Sequence, residues 1–268
     1  MRGLYENRYL CRHGRNSVRT GGLDEVTRWK PDSSPIKQEL SREVLSACEG
    51  ALEAGAKEIL VGDFHGVGRN LELEKLPESV KVLRGCNTPL PIWIDSSYDA
   101  LIMIGEHSFA GSDGHLLAHT FNDTISSIKV NGNTFSEFLY SAYIAAYVKL
   151  PTAFLSGDNR ICEHATAINP AMVTVAACTG MGTGMLAYSS DLVNRQIKEG
   201  VQRSLSRNSL AQCLFKLPQT FSVEMTFNNY AKAERASFYP GVKRLSALIV
   251  EFKADDYYEL LRMWTFVL

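Results

Sequence analysis

The chain lacks the features that mark membrane, secreted or nucleic-acid-binding proteins. No apolar run approaches the length of a membrane-spanning helix, and the first twenty residues lack the apolar stretch of a secretory signal. The formal net charge is only -1 and no dense basic run occurs, so the composition favours neither nucleic acid nor an anionic membrane as a partner. We therefore expect a cytoplasmic protein with a small or neutral partner.

Cysteine is scarce and unpaired. The six cysteines show no short, repeated spacing, which argues against a disulfide framework and against a zinc ribbon. The 268 residues are 45% hydrophobic and 21% charged, so the chain is long enough and apolar enough to build a sizeable core. These proportions exclude a disordered protein and indicate an ordinary globular one.

Apolar runs that alternate with helical patterns predict an α/β fold. Residues 58–61 and 100–104 are short runs of the kind found in strands buried on both faces, and residues 43–56 have helical spacing. We expect a largely parallel sheet flanked by helices over residues 1–171, forming the metal-binding domain. Six further segments, alternately strand and helix, predict a second, smaller α+β domain over residues 172–268.

The middle of the chain adds three local predictions. Residues 125–130 read as a third strand of the sheet, and Thr134 with Glu137 forms a capping-box pattern at the start of a helix. The glycine-rich segment 180–184 lacks the ending of a phosphate-binding loop, so we interpret it as a flexible connection.

Histidines follow the predicted strands and indicate a metal site. His65 comes just after the first apolar run, His107 just after the second, and His119 lies a short way downstream. The carboxyl ends of parallel strands form the crevice in which α/β proteins bind ligands, and imidazole is the commonest side-chain metal ligand. A single histidine at a strand end is more often an ordinary polar residue. Their joint placement indicates a metal-dependent hydrolase.

An ordered series of short motifs resembles the D-aminopeptidase family of zinc peptidases, the DppA-like proteins. The order and spacing match over residues 41–268. The series includes Asp63-Phe64-His65, Gly105-Glu106-His107, Leu117-Ala118-His119, Glu137, Ser156-Gly157-Asp158-Asn159 and Asn229-Tyr230-Ala231.

The resemblance implies a two-zinc aminopeptidase that acts on short peptides with an N-terminal D-residue. It assigns His65, His107 and Glu137 as metal ligands and His119 as the catalytic residue. It also implies a homo-oligomeric ring. The capping-box pattern alone would explain a glutamate at position 137, so only the resemblance makes this residue a ligand.

Other polar residues receive lesser roles. Asp63 and Asp158 are expected to support the ligands or to cap helices rather than to bind metal. His115 and His164 are interpreted as surface or supporting residues, and His13 is given no role.

The first forty residues depart from the family pattern. The family opens with a strand carrying an Asp-x-Glu-Gly motif, which supplies two carboxylate ligands including the one that bridges the metals, and residues 1–40 contain none. They also show no apolar alternation, so we expect the sheet to lack its first strand. Because a two-metal site needs a bridging anion, we expect the written chain to have a damaged centre and impaired activity.

A shift of reading frame would account for the departure. Reading the codons of residues 5–18 one nucleotide later, with permitted synonymous codons, gives Met-Lys-Ile-Asp-Ile-Ser-Ala-Asp-Met-Glu-Gly-Ile-Ala. This sequence contains a start codon, an apolar strand and the missing motif. The motif's aspartate would straddle positions 12 and 13, and its glutamate positions 14 and 15. We interpret the segment as a frameshifted rendering of the family's N-terminus.

Two other classes of function stay open at this stage. The Gly62-Asp63-x-His65-Gly66 segment resembles a motif of metallophosphoesterases, although the other metal motifs of that class are absent. The second alternative is a non-catalytic peptide-binding or assembly protein. This interpretation follows if residues 1–20 are the true N-terminus and no frameshift has occurred.

Overall fold

A seven-stranded sheet forms the centre of the protein in the computed structural model. The structure describes residues 8–13, 35–64, 70–84, 94–206 and 210–268, with the backbone alone for 8–13 and 35–36. The strands are β1 (Arg8–His13), β2 (Glu58–Asp63), β3 (Val80–Arg84), β4 (Ala100–Glu106), β7 (Thr152–Asp158), β8 (Val173–Met181) and β9 (Gly184–Ala187). Their spatial order is β3-β2-β1-β4-β7-β8-β9, and all neighbours are parallel except β8 and β9. The expected parallel sheet is therefore present.

Strand β1 lies in the middle of this sheet, which corrects the expectation that the first strand is missing. His13 pairs with Asp63 of β2 on one side and with Ile104 of β4 on the other. The pairing is possible without an apolar pattern because the ladder is formed by backbone N–H and C=O groups. The strands that follow β1 lie on opposite sides of it, with β2 and β3 on one side and β4 and β7 on the other. The order of the strands therefore reverses at β1, and the carboxyl ends of β1 and β4 mark a topological switch point.

Helices cover both faces of the sheet. They are α1 (Pro35–Glu53), α2 (Glu137–Tyr147), α3 (Asn159–Ile168), α4 (Ser190–Ser204), α5 (Tyr230–Ala236) and α6 (Tyr257–Val267). Because side chains alternate along a strand, β4 supplies both cores: Ile102 and Ile104 face α1 and α4, whereas Leu101 and Met103 face the core that contains α2 and α3. A strand buried on both faces must be apolar throughout, which explains why its run was recognisable in the sequence.

The packing of α1 on α4 depends on one glycine. A Cβ atom added to Gly50 would lie 2.3 Å from the carbonyl oxygen of Lys198, so the two helices can approach this closely only without a side chain at that position.

No helix within the described residues is both long enough and apolar enough to cross a membrane.

A second, antiparallel sheet packs beside the first. Its strands are β5 (Ile125–Val130), β6 (Asn133–Thr134), β10 (Phe221–Phe227), β11 (Lys243–Arg244) and β12 (Ile249–Ala254), in the order β11-β12-β10-β5-β6. Trp264 of α6 is fully buried against Phe135, Tyr140 and Tyr257 in the core that this sheet shares with α2.

The two sheets take strands from both sides of residue 171. The predicted third strand, β5, exists but belongs to the antiparallel sheet, whereas β8 and β9 extend the parallel one. The sheets therefore do not divide the chain at residue 171, and the two-domain organisation stays a prediction. The physical reason is that a six-residue amphipathic strand reveals its buried face and not its partner.

Two local predictions need correction. The cap of α2 is Ser136, whose hydroxyl accepts the Leu139 N–H at 3.2 Å, so Thr134 lies in β6 and Glu137 is the first helical residue. The glycine-rich segment forms the turn of the β8–β9 hairpin rather than a flexible connection, with Gly182 at a φ of 60°.

Candidate metal centre

His107 follows β4 directly and is held in one tautomer. Its ring is 3% exposed, and its Nδ1 lies 2.9 Å from the backbone oxygen of Ser108. A carbonyl oxygen can only accept, so Nδ1 carries the proton and Nε2 retains its lone pair. This is the protonation state in which imidazole binds a metal.

His119, which lies on a different segment, is held in the same tautomer by the same kind of contact. Its Nδ1 lies 2.6 Å from the backbone oxygen of Leu117, and its ring stacks on that of His107 with centroids 4.3 Å apart and planes 20° from parallel. Both histidines therefore present an Nε2 lone pair on the same side of the protein.

Glu137 faces the two histidines from the first turn of α2. Its Oε1 lies 3.7 Å from His107 Nε2 and 3.6 Å from His119 Nε2. The same oxygen accepts the Phe121 N–H at 2.8 Å. Phe121 has a φ of 66°, which is uncommon for a bulky residue, and its ring packs edge-on against Tyr140. The strained backbone at Phe121 thus aims an N–H at the carboxylate.

The donor set fits a divalent cation. One ligand atom from each of His107, His119 and Glu137 lies within 4.8 Å of the others. Two imidazole lone pairs and a carboxylate oxygen that point at one another are all acceptors, and distances of 3.6 and 3.7 Å are too long for hydrogen bonds. The ligand atoms of one tetrahedral zinc ion lie about 3.3 Å apart, which this cluster meets with a small adjustment.

Asp63 supports the segment that contains His65. The carboxylate is fully buried at the end of β2, and it accepts the N–H of Asn70 at 2.8 Å and of Leu71 at 3.2 Å. It thereby holds together the two ends of the connection that carries His65. His65 itself lies outside the described residues, so its role as a ligand stays a prediction.

Asp158 supports the neighbouring segment. Its Oδ2 accepts both the N–H and the hydroxyl of Ser108, at 2.6 and 2.9 Å, and its Oδ1 accepts the Ile161 N–H at the start of α3. The contacts of both aspartates agree with the supporting and capping roles expected of them.

The remaining histidines lie around the cluster. His115 is buried, and its Nδ1 accepts the Leu117 N–H at 3.1 Å, so it braces the turn before His119 and is not a surface residue. His164 is half-buried against Phe109, and burial lowers its pKa. His13 is the last residue of β1.

Two residues that position the cluster of His107, His119 and Glu137 could not be recognised in the sequence. Phe121 acts through its backbone and Ser108 through contacts with a distant aspartate, and neither role has a residue-type signature. The structure describes the side chains of four cysteines, Cys48, Cys162, Cys178 and Cys213. All four are free and buried, and burial raises the pKa of Cys48 and of Cys162 to about 12. None of these four belongs to the cluster of His107, His119 and Glu137.

A pocket of about 590 Å³ opens beside His119. This volume is in the range of pockets that bind small molecules. Its wall consists of Ala110, Gly111, Leu117, Ala118, His119, Phe121, Asn122, Asp123, Ile125 and Ser126.

An α/β fold with a His-His-Glu cluster beside a switch point, and with a pocket against it, is typical of a metal-dependent hydrolase. The chain matches the family model described as D-aminopeptidase over residues 21–266, and it belongs to that family of peptidases. The matched region begins at residue 21, after residues 5–18, whose shifted reading frame contains the Asp-x-Glu-Gly motif.

Two comparisons with individual proteins agree with the family. The chain is 25% identical over 213 residues to a D-aminopeptidase of Bacillus subtilis (strain 168), a match that covers 78% of this chain and 77% of that protein. The fold is similar to the structure of a Zn-dependent D-aminopeptidase, DppA, from Bacillus subtilis, described as a self-compartmentalizing protease. That comparison has a TM-score of 0.84 and 21% identity, and it covers 97% of each chain.

Proposed function

We propose that the chain is a zinc-dependent aminopeptidase that hydrolyses short peptides with an N-terminal D-residue. The observation that carries the proposal is the convergence of His107, His119 and Glu137 in a chain of the D-aminopeptidase family. Fold similarity alone would not carry it, because one fold supports many chemistries. The family match does not favour a metallophosphoesterase.

The residues divide into ligands and a proton carrier. We assign His107 and Glu137, with His65, as zinc ligands. His119, the third member of the cluster, is assigned as the catalytic residue, with its Nε2 beside the ion rather than bonded to it. Bound zinc lowers the pKa of a coordinated water and polarises the scissile carbonyl. Because Nδ1 of His119 donates to Leu117, Nε2 is the atom through which this ring exchanges a proton with the reacting groups.

The pocket beside His119 is proposed to bind the peptide. Leu117, Phe121 and Ile125 offer apolar surface for a side chain. Asp123 supplies a negative charge on the same wall, which suits the free α-ammonium group that every aminopeptidase substrate carries.

The missing carboxylate ligands are proposed to belong at the end of β1. In the shifted frame the motif's aspartate falls at positions 12 and 13, and His13 pairs with β2 and β4, the strands that lead to His65 and His107. The motif's glutamate comes two residues after its aspartate. The strand position therefore supports the view that the shifted segment completes a two-metal centre at the switch point.

A pair of proteins tests the hydrolase and the frame together. One is the chain as written, and the other carries the thirteen shifted-frame residues in place of residues 5–17. Zinc per subunit is measured by elemental analysis, and hydrolysis is measured with D-Ala-Gly-Gly. L-Ala-Gly-Gly and an aryl phosphate serve as control substrates.

We expect about two zinc ions and D-selective hydrolysis in the shifted-frame protein. The written chain should hold less metal and have a kcat/KM lower by about 100-fold or more, since it lacks the bridging ligand. Two zinc ions and full activity in the written chain would overturn the frame proposal. A zinc-loaded shifted-frame protein that cleaves no D-peptide would instead favour the non-catalytic, peptide-binding alternative.

Assembly and location are part of the same proposal. We propose that the chain forms a homo-oligomeric ring, supported by the description of the structural relative as self-compartmentalizing. Met181 and Leu186 are exposed apolar residues on the β8–β9 hairpin at the edge of the large sheet, where such residues favour association. A cytoplasmic location stays a prediction that cell fractionation would test.

A further inference from the structure

We propose that Asp158 is a positioning residue for the metal centre, acting through Ser108 on the orientation of His107. The inference rests on the proposed function because it concerns zinc binding by the same cluster. Its basis is a pair of hydrogen-bond links joined through Ser108. One link begins at the fully buried carboxylate of Asp158, and the other ends at the His107 ring, whose other nitrogen faces Glu137.

The first link is a double contact with one residue. Oδ2 of Asp158 accepts the Ser108 N–H at 2.6 Å and the Ser108 hydroxyl at 2.9 Å. Two contacts to the backbone and side chain of one residue fix its conformation more firmly than one would, and hydrogen bonds to an ionised acceptor are stronger than neutral ones.

The second link fixes the tautomer. Ser108, held by Asp158, directs its carbonyl oxygen at His107 Nδ1, 2.9 Å away. The proton is therefore retained on Nδ1 and the Nε2 lone pair is directed toward Glu137. Partners of this kind, which orient a ligating histidine, typically contribute 10- to 100-fold to metal affinity.

Asp158 is itself held from several sides. It is the last residue of β7, and its Oδ1 accepts the Ile161 N–H at 2.9 Å as the cap of α3. A Cβ atom added to Gly114 would lie 2.7 Å from the same oxygen, so the chain that leads to His119 packs against this carboxylate as well. One buried group thus contacts the segments that carry both histidines.

Asp158→Asn is the most informative variant. An asparagine has nearly the same shape but only one acceptor oxygen, so it can cap α3 or accept from Ser108 but cannot do both. Ser108→Ala removes only the hydroxyl contact and leaves the N–H contact in place. Asp256→Asn is the matched control, because Asp256 caps α6 and accepts the Tyr147 hydroxyl but is exposed on an element outside the cluster.

The first measurement is the zinc dissociation constant by competition with a chromogenic chelator, with folding checked by circular dichroism. Asp158→Asn should weaken zinc binding about 10- to 100-fold and Ser108→Ala by a smaller factor, whereas Asp256→Asn should bind like the parent. Folded Asp158→Asn and Ser108→Ala proteins that both bind zinc like the parent would overturn the proposal. If Asp158→Asn does not fold, unchanged zinc binding in Ser108→Ala alone would do so.

The second measurement needs no metal. Nitrogen NMR of the metal-free protein with labelled histidine reports which ring nitrogen carries the proton. The parent should show His107 with the proton on Nδ1, and both variants should show a mixture of tautomers. A parent that binds no zinc would defeat the proposed function, while the tautomer change would still support the positioning role. An unchanged His107 tautomer in both variants would overturn that role.

Discussion

At the residue scale, the cluster brings three acceptor atoms close together, one each from His107, His119 and Glu137. Glu137 is the only one of the three residues that carries a formal charge when both histidines are neutral. Removing that charge should weaken cation binding far more than it destabilises the fold. The carboxylate also accepts the Phe121 N–H, and an amide oxygen can preserve this contact.

Glu137→Gln should therefore leave the fold intact and weaken zinc binding by about 10-fold or more, because an amide oxygen is a poorer ligand than a carboxylate. Isothermal titration with zinc checks the result. Glu163→Gln on the exposed side of α3 is the control and should bind like the parent. A Glu137→Gln protein with parental zinc affinity would remove this residue from the centre.

The sequence indicated the members of the cluster better than it indicated their surroundings. His107 and His119 follow or lie near an apolar run, and the ordered motifs pointed to Glu137. The left-handed backbone of Phe121 had no signature, because its residue type argues against the conformation that it adopts. Ser108 was equally invisible, since its partner Asp158 is fifty positions away.

At the element scale, α1 contains a buried carboxyl group that the sequence pattern did not reveal. Glu43 lies on the helix face toward the sheet, is fully buried, and has no hydrogen-bond partner for either carboxylate oxygen among the described residues. Burial, with a contribution from Glu39, raises its pKa to about 8. The folded state therefore holds this proton more tightly than the unfolded state does.

The free energy of unfolding should consequently fall as pH rises from about 4.5 to about 8, because the unfolded chain loses the proton first. The loss is on the order of 5 kcal/mol at most. Glu43→Gln should remove most of this slope in urea unfolding at pH 5 and pH 9. Glu49→Gln, on the half-exposed side of the same helix, should keep it. A parental slope in Glu43→Gln would contradict the assignment.

Elements were predictable where burial is two-sided. Strand β4 and strand β7 are buried at every position, and such runs stand out in a sequence. The partners of β5 did not follow from its pattern, because its alternation fits a strand of either sheet. Strand β1 was missed because backbone pairing, not its side chains, places it between β2 and β4.

At the scale of the whole molecule, the β8–β9 hairpin is the feature that a partner copy would cover. Met181 is 63% exposed and Leu186 is 52% exposed, and β9 is the edge strand of the large sheet. Within the described residues no strand pairs with the outer side of β9, and an apolar edge of this kind is a pairing surface that natural proteins usually blunt.

Leu186→Asp should therefore convert the proposed assembly to smaller species, because the substitution buries a charge in the contact. Size-exclusion chromatography with light scattering measures the change. Leu73→Asp, at an exposed position in the short 3-10 helix between β2 and β3, is the control and should leave the assembly intact. An unchanged mass for Leu186→Asp would place the contact on another surface.

The interleaving of the two sheets bears on how the chain is synthesised. Strand β5 emerges from the ribosome long before β10, its partner, because β7 and β8 must first be made and added to the other sheet. The nascent protein therefore carries β5 paired only with the two residues of β6, with its β10 side open, through much of its synthesis, a state that exposes it to aggregation. The antiparallel sheet can close only after residue 227, the end of β10, has been translated.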